Sequence, residues 1–443
     1  MNRKYIKKIL KLFSFLTLNL LFFSCASNSA FKPVESQVAN NQFNDGADFL
    51  EKNKNRLYSN KDAVLYYLDK GMLNHYANQY ANSTKMLEDA DRLIAEAFTK
   101  SISLEASSYL INDLVLEYGG EDYEDIYINV FNALNYYYMG ELENSLVEIR
   151  RMNNKLQYLS NKYDAVLTNL QQKALEDNKV ELPSNPNTPS KFNNSALARY
   201  LGILFYRGVG LYDDARIDRD YLLAAFANAP NVYSYPIPNS LVEELSVPEG
   251  MARLNIVAFG GLSPLKKENV LRIPLPGVRW IKIALPEMVS RKSDLSRVEI
   301  VFEDGTSHTL ELLEDIDAVA KDTFSSRKQF IYIKTIIRAS VKGASSSALK
   351  IAANEAEGNA ALALGIASIF TQAFAEISER ADLRISRFFP GKAYIGGINL
   401  KPGRYSFKVS YYNANNREIA SFVHNDVEVK ENALNLIETF SLK

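Results

Sequence analysis

Four carboxylates lie close together near the middle of the first half of the chain, and paired carboxylates are the groups that carry out glycoside hydrolysis. They are Glu121, Asp122, Glu124 and Asp125. A hydrolase built on them would hold them in a substrate cleft, with at least one carboxyl pKa raised. The residues that follow predict a helix that begins here, and the dipole of a helix stabilises acidic side chains in its first turn. The second explanation is the stronger, so we predict no enzyme and keep hydrolysis as a third hypothesis.

The other residue types that carry chemistry are scattered. His75, His308 and His424 are far apart, and no pair of them has the spacing of metal ligands. The sequence lacks the short patterns of P-loop proteins, of α/β-hydrolases and of zinc metalloproteases. With a net charge of −1 over 443 residues, the chain lacks the excess of basic residues that is typical of proteins that bind nucleic acid. We therefore predict no metal, no cofactor and no nucleic-acid partner.

The single cysteine, Cys25, stands where a lipidated residue would be needed. Five basic residues precede an apolar run that ends at Phe23, and Ser24 comes directly before the cysteine. A basic start, an apolar middle and a small residue at the junction are typical of a secretory signal peptide. The stretch LFFSC resembles the lipobox of bacterial lipoproteins, whose cysteine is acylated and becomes the first residue of the mature protein. We predict a lipoprotein signal peptide at residues 1–24 and lipidation at Cys25; the alternative is an ordinary signal peptide or anchor helix with an incidental cysteine.

Lipidation would attach the mature protein to a lipid bilayer through acylated Cys25. Loss of residues 1–24 removes five basic and no acidic residues, which changes the net charge from −1 to −6. No thiol would remain for a disulfide, so the core alone must hold the fold. Residues 25–45 are polar and predict a flexible tether. In some bacteria an aspartate directly after the lipidated cysteine retains a lipoprotein in the inner membrane. This chain has Ala26 at that position, so we favour the periplasmic face of the outer membrane.

The stretch 118–156 sets the pattern for the first half of the chain. Apolar residues recur at helical spacing on both sides of Gly140, and glycine suits the left-handed conformation at a helix end. Small residues lie where the two helices approach, Ala133 on the first and Ser145 on the second. This pattern is typical of a tetratricopeptide (TPR) helix pair, although the helix pairs of this chain do not repeat at the TPR period of about 34 residues. With one pair before it and one after it, it predicts a TPR-like helical domain over residues 46–230.

Beyond a proline-rich linker the periodicity changes from helical to alternating, which predicts strands. Asp304-Gly305 between two alternating runs predicts a tight hairpin turn. Helices are expected again from Asp315 to Arg387, followed by strands to the end of the chain. Residues 250–443 therefore predict an α+β domain with an antiparallel sheet and long helices. The whole chain is predicted to be an α+β multidomain protein.

The apolar stretch Asn359–Ala375 is rich in small residues. Spanning a bilayer takes about 20 apolar residues, and Thr371 and Gln372 interrupt this shorter run. An amphipathic continuation follows it, which is typical of a helix that leaves a core. We predict a buried core helix, with insertion into a membrane or a partner as the alternative.

Tyrosines are candidates for a binding surface, because the chain has 26 of them and many fall on the predicted helix pairs. A tyrosine offers a large contact area with a polar tip, which suits an extended peptide or a glycan. Packing between helices explains most of them better. The residues predicted to bind a partner in a TPR-like groove are Tyr123, Tyr127, Tyr138, Glu148, Arg150 and Arg151.

Several segments occur in the same order as in a family of bacterial TPR-containing lipoproteins of unassigned function. They include YGGEDYEDI, FGGLSPLK, IKIALPEM, ISERADLR and INLKPGRYSFKVSYYN. The most specific are the block 118–153 and the Asp-x-Arg motif at Asp382 and Arg384, ahead of Pro390. The resemblance covers most of the mature chain and implies envelope attachment, a TPR-like region, a C-terminal domain and no established enzyme activity. The family has an aromatic after the Asp-x-Arg motif, and this chain departs from it with Ile-Ser-Arg.

Two functions follow from these features. The favoured one is a membrane-anchored lipoprotein that acts as a protein-interaction adaptor in the cell envelope, with an envelope protein docked in its TPR-like groove. The alternative is a small-molecule or glycan binding protein that uses a cleft between the helical and C-terminal domains. A cavity lined by Phe and Tyr at that junction would favour the alternative, and a solid interface would count against it.

Overall fold

The computed structural model describes residues 28–108, 113–159, 190–275, 278–328, 331 and 380–443. The predicted signal peptide, Cys25 and the stretch Asn359–Ala375 lie outside these residues. Helices occupy the first part of the described chain and strands most of the second. The fold is therefore mixed, with a helical region followed by a sheet region.

The helical region contains three successive helix pairs, preceded by three shorter helices. The helices are α1 (Lys32–Ala39), α2 (Phe43–Lys52), α3 (Lys54–Leu57), α4 (Ala63–Tyr76), α5 (Tyr80–Ser108), α6 (Asp122–Tyr138), α7 (Leu142–Leu159), α8 (Ala196–Gly208) and α9 (Tyr212–Asn228). Gly140 and Gly210 turn the chain within the second and third pairs, both at a φ of +79°, a conformation that favours glycine. The helix pairs lie where the periodicity of the sequence predicts them. Their similarity to TPR units stays a prediction.

The strands form two four-stranded sheets and one ribbon. They are β1 (Ala252–Leu262), β2 (Leu265–Leu275), β3 (Val278–Val289), β4 (Leu295–Phe302), β5 (Ser307–Thr309), β6 (Glu311–Asp315), β7 (Pro390–Leu400), β8 (Gly403–Asn413), β9 (Glu418–Val429) and β10 (Asn435–Ser441). One sheet has the order β10-β1-β7-β6, the other β5-β4-β8-β9, and β2 pairs with β3 alone. Strand β1 runs parallel to β10 and antiparallel to β7, so the first sheet is mixed. The prediction of an antiparallel sheet is wrong there, because alternation along a strand does not reveal its neighbours.

The predicted flexible tether is helical over much of its described part. A 3-10 helix at Asn28–Phe31 leads into α1, which has Pro33 in its first turn. Val34 and Val38 of α1 are both buried. The tether prediction is wrong here, because polar composition concealed two apolar residues at the helical spacing of four.

Segment 380–389, which leads into β7, has neither helix nor strand. The sequence predicted that a helix would reach Arg387, so this end of the prediction is wrong. Phe388 and Phe389 are fully buried, and Ile385 is nearly so. The segment therefore runs through the core as an irregular chain, with its backbone bonded to other elements.

The mixed sheet lies between the helices and the second sheet, so β1 is buried on both faces. Val257 and Phe259 of β1 belong to the core shared with the helices. Leu254 and Ile256 point the other way, into a second core with strands β4 and β8. Burial on both faces explains the continuous apolar run of β1, which also pairs with β10 in the parallel sense.

The first helix of each pair packs against the mixed sheet. The ring of Phe131 on α6 lies 5.3 Å from that of Phe259 on β1. The ring of Tyr76 on α4 lies 4.8 Å from that of Phe440 on β10. Helix α8 contributes a hydrogen bond between its Tyr200 and a β1 side chain. The face on which a TPR-like array would bind a partner is thus covered by the chain's own sheet.

Candidate functional site

A cleft of about 450 Å³ lies between the helical region and the sheet region. The helical side contributes Phe31, Leu57, Tyr58, Asp62, Leu65, Asp69 and Leu114. The sheet side contributes Leu265, Lys266 and Glu268 of β2, and Arg380, Ala381, Leu383, Arg384, Ile385 and Arg387 of segment 380–389. Clefts of this volume hold small molecules, and they occur preferentially where two parts of a fold meet.

One face of α4 supplies much of the helical wall. Asp62, Leu65 and Asp69 follow each other at spacings of three and four, so they lie on the same side of the helix and its N-terminus. The hydroxyl of Tyr58 donates to Asp69 at 2.8 Å, and the ring of Phe31 packs edge-on against Tyr58 at 5.6 Å. The wall thus combines two aromatic rings with carboxylates that are already bonded.

Asp69 holds segment 380–389 in place. The backbone N–H of Arg387 donates to its carboxylate at 2.7 Å, and the hydroxyl of Ser386 donates at 3.0 Å. Burial raises the pKa of Asp69, and these hydrogen bonds oppose that rise. The sequence analysis did not single out Asp69, although an aspartate within the mostly apolar stretch 63–73 is a signal of a buried group that needs hydrogen-bond partners.

The Asp-x-Arg motif forms a clamp at the edge of the cleft. The Arg384 guanidinium donates to Asp382 at 2.8 Å and to Asp62 at 3.3 Å. It also donates to the backbone carbonyls of Asp113 and Leu116, at 2.9 and 3.0 Å. Burial alone would lower the pKa of Arg384, but its hydrogen bonds and ion pairs with Asp382 and Asp62 together outweigh burial and raise it. The motif joins segment 380–389 to the helical region, so it shapes the cleft.

The carboxylates considered for hydrolysis lie outside the cleft lining. Glu121 and Glu124 are buried at the start of α6, where they form a capping box. Glu124 accepts hydrogen bonds from the hydroxyl of Tyr118 and the backbone N–H of Glu121, both at 2.7 Å, and from Ser386 N–H at 2.6 Å. Glu121 is ion-paired with Lys266. The arrangement matches the predicted role at a helix N-terminus and leaves the two carboxylates no access to a substrate in the cleft.

The stability of the protein is expected to fall as the pH rises from about 4.5 to 7, because of Glu124. Burial, together with the charge of Glu121, raises the pKa of Glu124 from 4.5 to about 7. Between these values the folded chain keeps a proton that the unfolded chain has released, so folding weakens with rising pH. The loss for this group is on the order of 3 kcal/mol across the window.

Urea unfolding at four pH values between 4.5 and 7.5 tests this prediction. Glu124→Gln does not titrate, so its free energy of unfolding should depend less steeply on pH than that of the wild type. Glu143→Gln, on the exposed face of α7, is the matched control and should keep the wild-type slope. Equal slopes for all three proteins would contradict the raised pKa.

Three of the six predicted partner-binding residues are buried. Tyr123 packs its ring 6.0 Å from that of Phe389, and the Tyr127 hydroxyl donates to Glu314 of β6. Glu148 accepts a hydrogen bond from Asn129 at 2.6 Å. These three are unavailable to a partner, so their prediction is wrong. The physical reason is that neighbouring helices and the mixed sheet cover the faces expected to line an open groove.

The other three lie at or near the surface but do not form one patch. Tyr138 is half-buried and stacks on Tyr80 with the ring centroids 4.8 Å apart. Arg150 is exposed, with its guanidinium 5.8 Å from the ring centroid of Tyr206. Arg151 is ion-paired with Asp91 and with Glu148. The structure therefore does not assemble the predicted partner site.

No family model matches the chain, and no curated protein or solved structure is detectably similar to it. Among the described residues, no helix has the length and apolar character needed to cross a membrane. Within the same residues, no group of three or more His, Cys, Asp or Glu side chains is arranged to hold a metal ion. We base the proposed function on the cleft between the two regions.

Proposed function

We propose that the protein binds a small molecule in the cleft between its helical and sheet regions. The observation that carries the proposal is the cleft itself, which is lined by Phe31 and Tyr58 on one side and by segment 380–389 on the other. Nine of the sixteen lining residues are apolar or aromatic and seven are charged, so the cleft offers both an apolar surface and polar groups that could orient a ligand. The two regions are fixed to each other by a shared core, so the cleft is preformed and little order must be gained on binding.

The proposal places this binding protein in the cell envelope, as a lipoprotein attached to the bilayer through acylated Cys25. The basic and apolar residues ahead of this sole cysteine support that placement. The family resemblance points to the same location. A binding protein anchored by lipid would hold its ligand close to a membrane surface.

The test is the identification of molecules that co-purify with the protein. Residues 25–443 with Cys25→Ser are exported to the periplasm behind an ordinary cleavable signal peptide in place of residues 1–24, so that the protein stays unacylated and is purified without detergent. Its solvent extract is then analysed by mass spectrometry. Leu383, at the mouth of the cleft, is 41% exposed, so Leu383→Trp should fill space in the cleft without disturbing the core.

We expect one molecular species to be enriched with the wild type and reduced at least tenfold by Leu383→Trp. Leu223→Trp is the matched control, because Leu223 of α9 is 39% exposed and lies outside the cleft lining. It should retain the molecule at the wild-type level. A species that survives Leu383→Trp, or an extract with no enriched species, would contradict binding in the cleft.

A second candidate function is the protein-interaction adaptor, and the outer face of α9 favours it. Ile217 and Tyr221, one helical turn apart on α9, are 52% and 47% exposed. Exposed apolar groups in such proximity are typical of interaction surfaces. In-cell crosslinking from α9 should then capture an envelope protein, and substitution of Ile217 and Tyr221 by Ser should abolish that capture without unfolding the chain.

A further inference from the structure

The body of the cleft suits an apolar group. Phe31, Leu57 and Leu65 line the helical wall, and Leu383 and Ile385 line the opposite one. Phe31, Leu57, Leu65 and Ile385 are each less than a tenth exposed, so they form a floor, while Leu383 is at the mouth. Transfer of an acyl chain or a ring from water onto such a surface is favourable, roughly in proportion to the apolar area that is buried.

The carboxylates of the cleft are already occupied by donors of the protein. Asp69 accepts hydrogen bonds from Tyr58, Ser386 and Arg387. Asp62 caps the helical turn at Ser59 and pairs with Arg384. Glu268, at the exposed end, accepts the backbone N–H of Ala381 at 2.9 Å. A cationic ligand would find these oxygens bonded, and would meet four cationic side chains in the same cleft.

Three of those four cations have carboxylate partners of their own. Lys266 pairs with Glu121, and Arg384 pairs with Asp382 and Asp62. Arg387 pairs with Glu35 at 3.0 Å and covers the ring of Phe31 at 3.9 Å. Arg380 is exposed, and it makes no ion pair with any residue that the structure describes. Its guanidinium is therefore the charge available at the mouth for a ligand anion.

We infer that the ligand of the cleft is an amphiphile with an anionic head, whose apolar part lies between Phe31 and Ile385 and whose head is bound by Arg380. The inference rests on the proposed function, since it specifies the chemical class of the ligand for the same cleft. A guanidinium binds a carboxylate or a phosphate through two parallel hydrogen bonds, and both heads belong to this class. Arg380 would act as the residue that selects the head group.

The test compares ligands that have the same saturated hydrocarbon chain and differ in the charge of the head group. Dodecanoate, dodecyl phosphate, dodecyltrimethylammonium and dodecyl maltoside are titrated by calorimetry, below their micelle concentrations, into residues 25–443 with Cys25→Ser. We expect both anions to bind at least tenfold more tightly than the cation, with the neutral maltoside in between. Equal binding of all four would overturn the anionic class but leave the cleft as a binding site. If none binds, the proposed function itself fails.

Two variants test whether Arg380 binds the head group of the ligand rather than its apolar part. Arg380→Gln should weaken binding of both anionic probes about tenfold, since a hydrogen bond to a charged group contributes about 1.5 kcal/mol or more. It should leave the affinity for dodecyl maltoside unchanged. Arg417→Gln, in the exposed turn between β8 and β9, is the control and should change neither affinity. An unaltered affinity of Arg380→Gln for the anions, or an equal loss for all probes, would overturn the role of Arg380.

Discussion

Glu314→Ala is expected to lower the free energy of unfolding by about 4 kcal/mol or more, because Glu314 joins three elements in the core. The carboxylate on β6 is fully buried and accepts the hydroxyls of Tyr127, Ser195 and Tyr233 and the N–H of Leu197. Alanine would leave these donors buried without an acceptor, and each costs about 1–3 kcal/mol. Urea unfolding, followed by far-ultraviolet circular dichroism, measures the loss.

Two further variants show whether lost hydrogen bonds are the cause. Glu314→Gln keeps one acceptor oxygen and nearly the same shape, so it should cost clearly less than Glu314→Ala. Burial raises the pKa of Glu314, because desolvation disfavours the charged carboxylate. Glu428→Ala, on an exposed position of β9, should change stability by less than about 0.5 kcal/mol. A cost below about 1 kcal/mol for Glu314→Ala would contradict the role of Glu314.

Phe131→Ala is expected to destabilise the protein by about 3–5 kcal/mol, the range for large cavities in a core. Phe131 is fully buried at the centre of the contact between helices and sheet. Its ring lies 5.0 Å from His75, 5.3 Å from Phe259 and 5.9 Å from Phe389. Because the helices and the sheet share this core, the helical signal and the near-ultraviolet signal of the sheet region should be lost in one transition.

The matched control for Phe131 is an aromatic residue on the surface. Tyr212→Ala, at a side chain 55% exposed on α9, should shift the unfolding midpoint only slightly. Two separate transitions in Phe131→Ala, with the sheet region surviving the first, would mean that the two regions fold independently. The cleft would then lie between movable parts.

Local patterns predicted the elements of this fold better than their arrangement. The three helix pairs and the hairpin around Gly305 follow from periodicity and turn residues, which act over a few positions. The parallel pairing of β1 with β10 joins Leu254 to Asn435. Nothing in either strand specifies a neighbour so distant in the sequence. The cleft depends on that arrangement, so its lining could not be assembled from local patterns.

Helix α6 shows why the candidate binding residues were misplaced. All its residues from Ile128 to Asn135 are buried, including Asn129, Asn132 and Asn135. Asn129 donates to Glu148 within the core, whereas the buried Asn132 side chain makes no hydrogen bond to any residue that the structure describes. Asn135 bonds the ring of His75 at 2.7 Å. A helix covered on every side has no free face, and a sequence with polar residues at helical spacing does not disclose that covering.

The role of the acidic residues at the start of α6 could be predicted from the sequence, but their burial could not. The sequence places Glu121 and Glu124 at a helix N-terminus, and the capping box agrees. Their burial depends on segment 380–389, whose Ser386 bonds to Glu124 from far along the chain. That contact also builds the cleft wall, so the cap and the candidate site belong to the same packing arrangement.

The most direct test of binding in the cleft is photo-crosslinking in cells from its mouth. An aliphatic diazirine amino acid, close to leucine in size so that it leaves the cleft open, replaces Leu383 in one protein and Leu223 in a second, and the mass of each irradiated protein is measured. Binding of a small molecule in the cleft predicts an adduct of small-molecule mass at position 383, and no such adduct at position 223. A protein-sized adduct at position 383, or no adduct of any size there, would contradict the proposal that this cleft binds a small molecule.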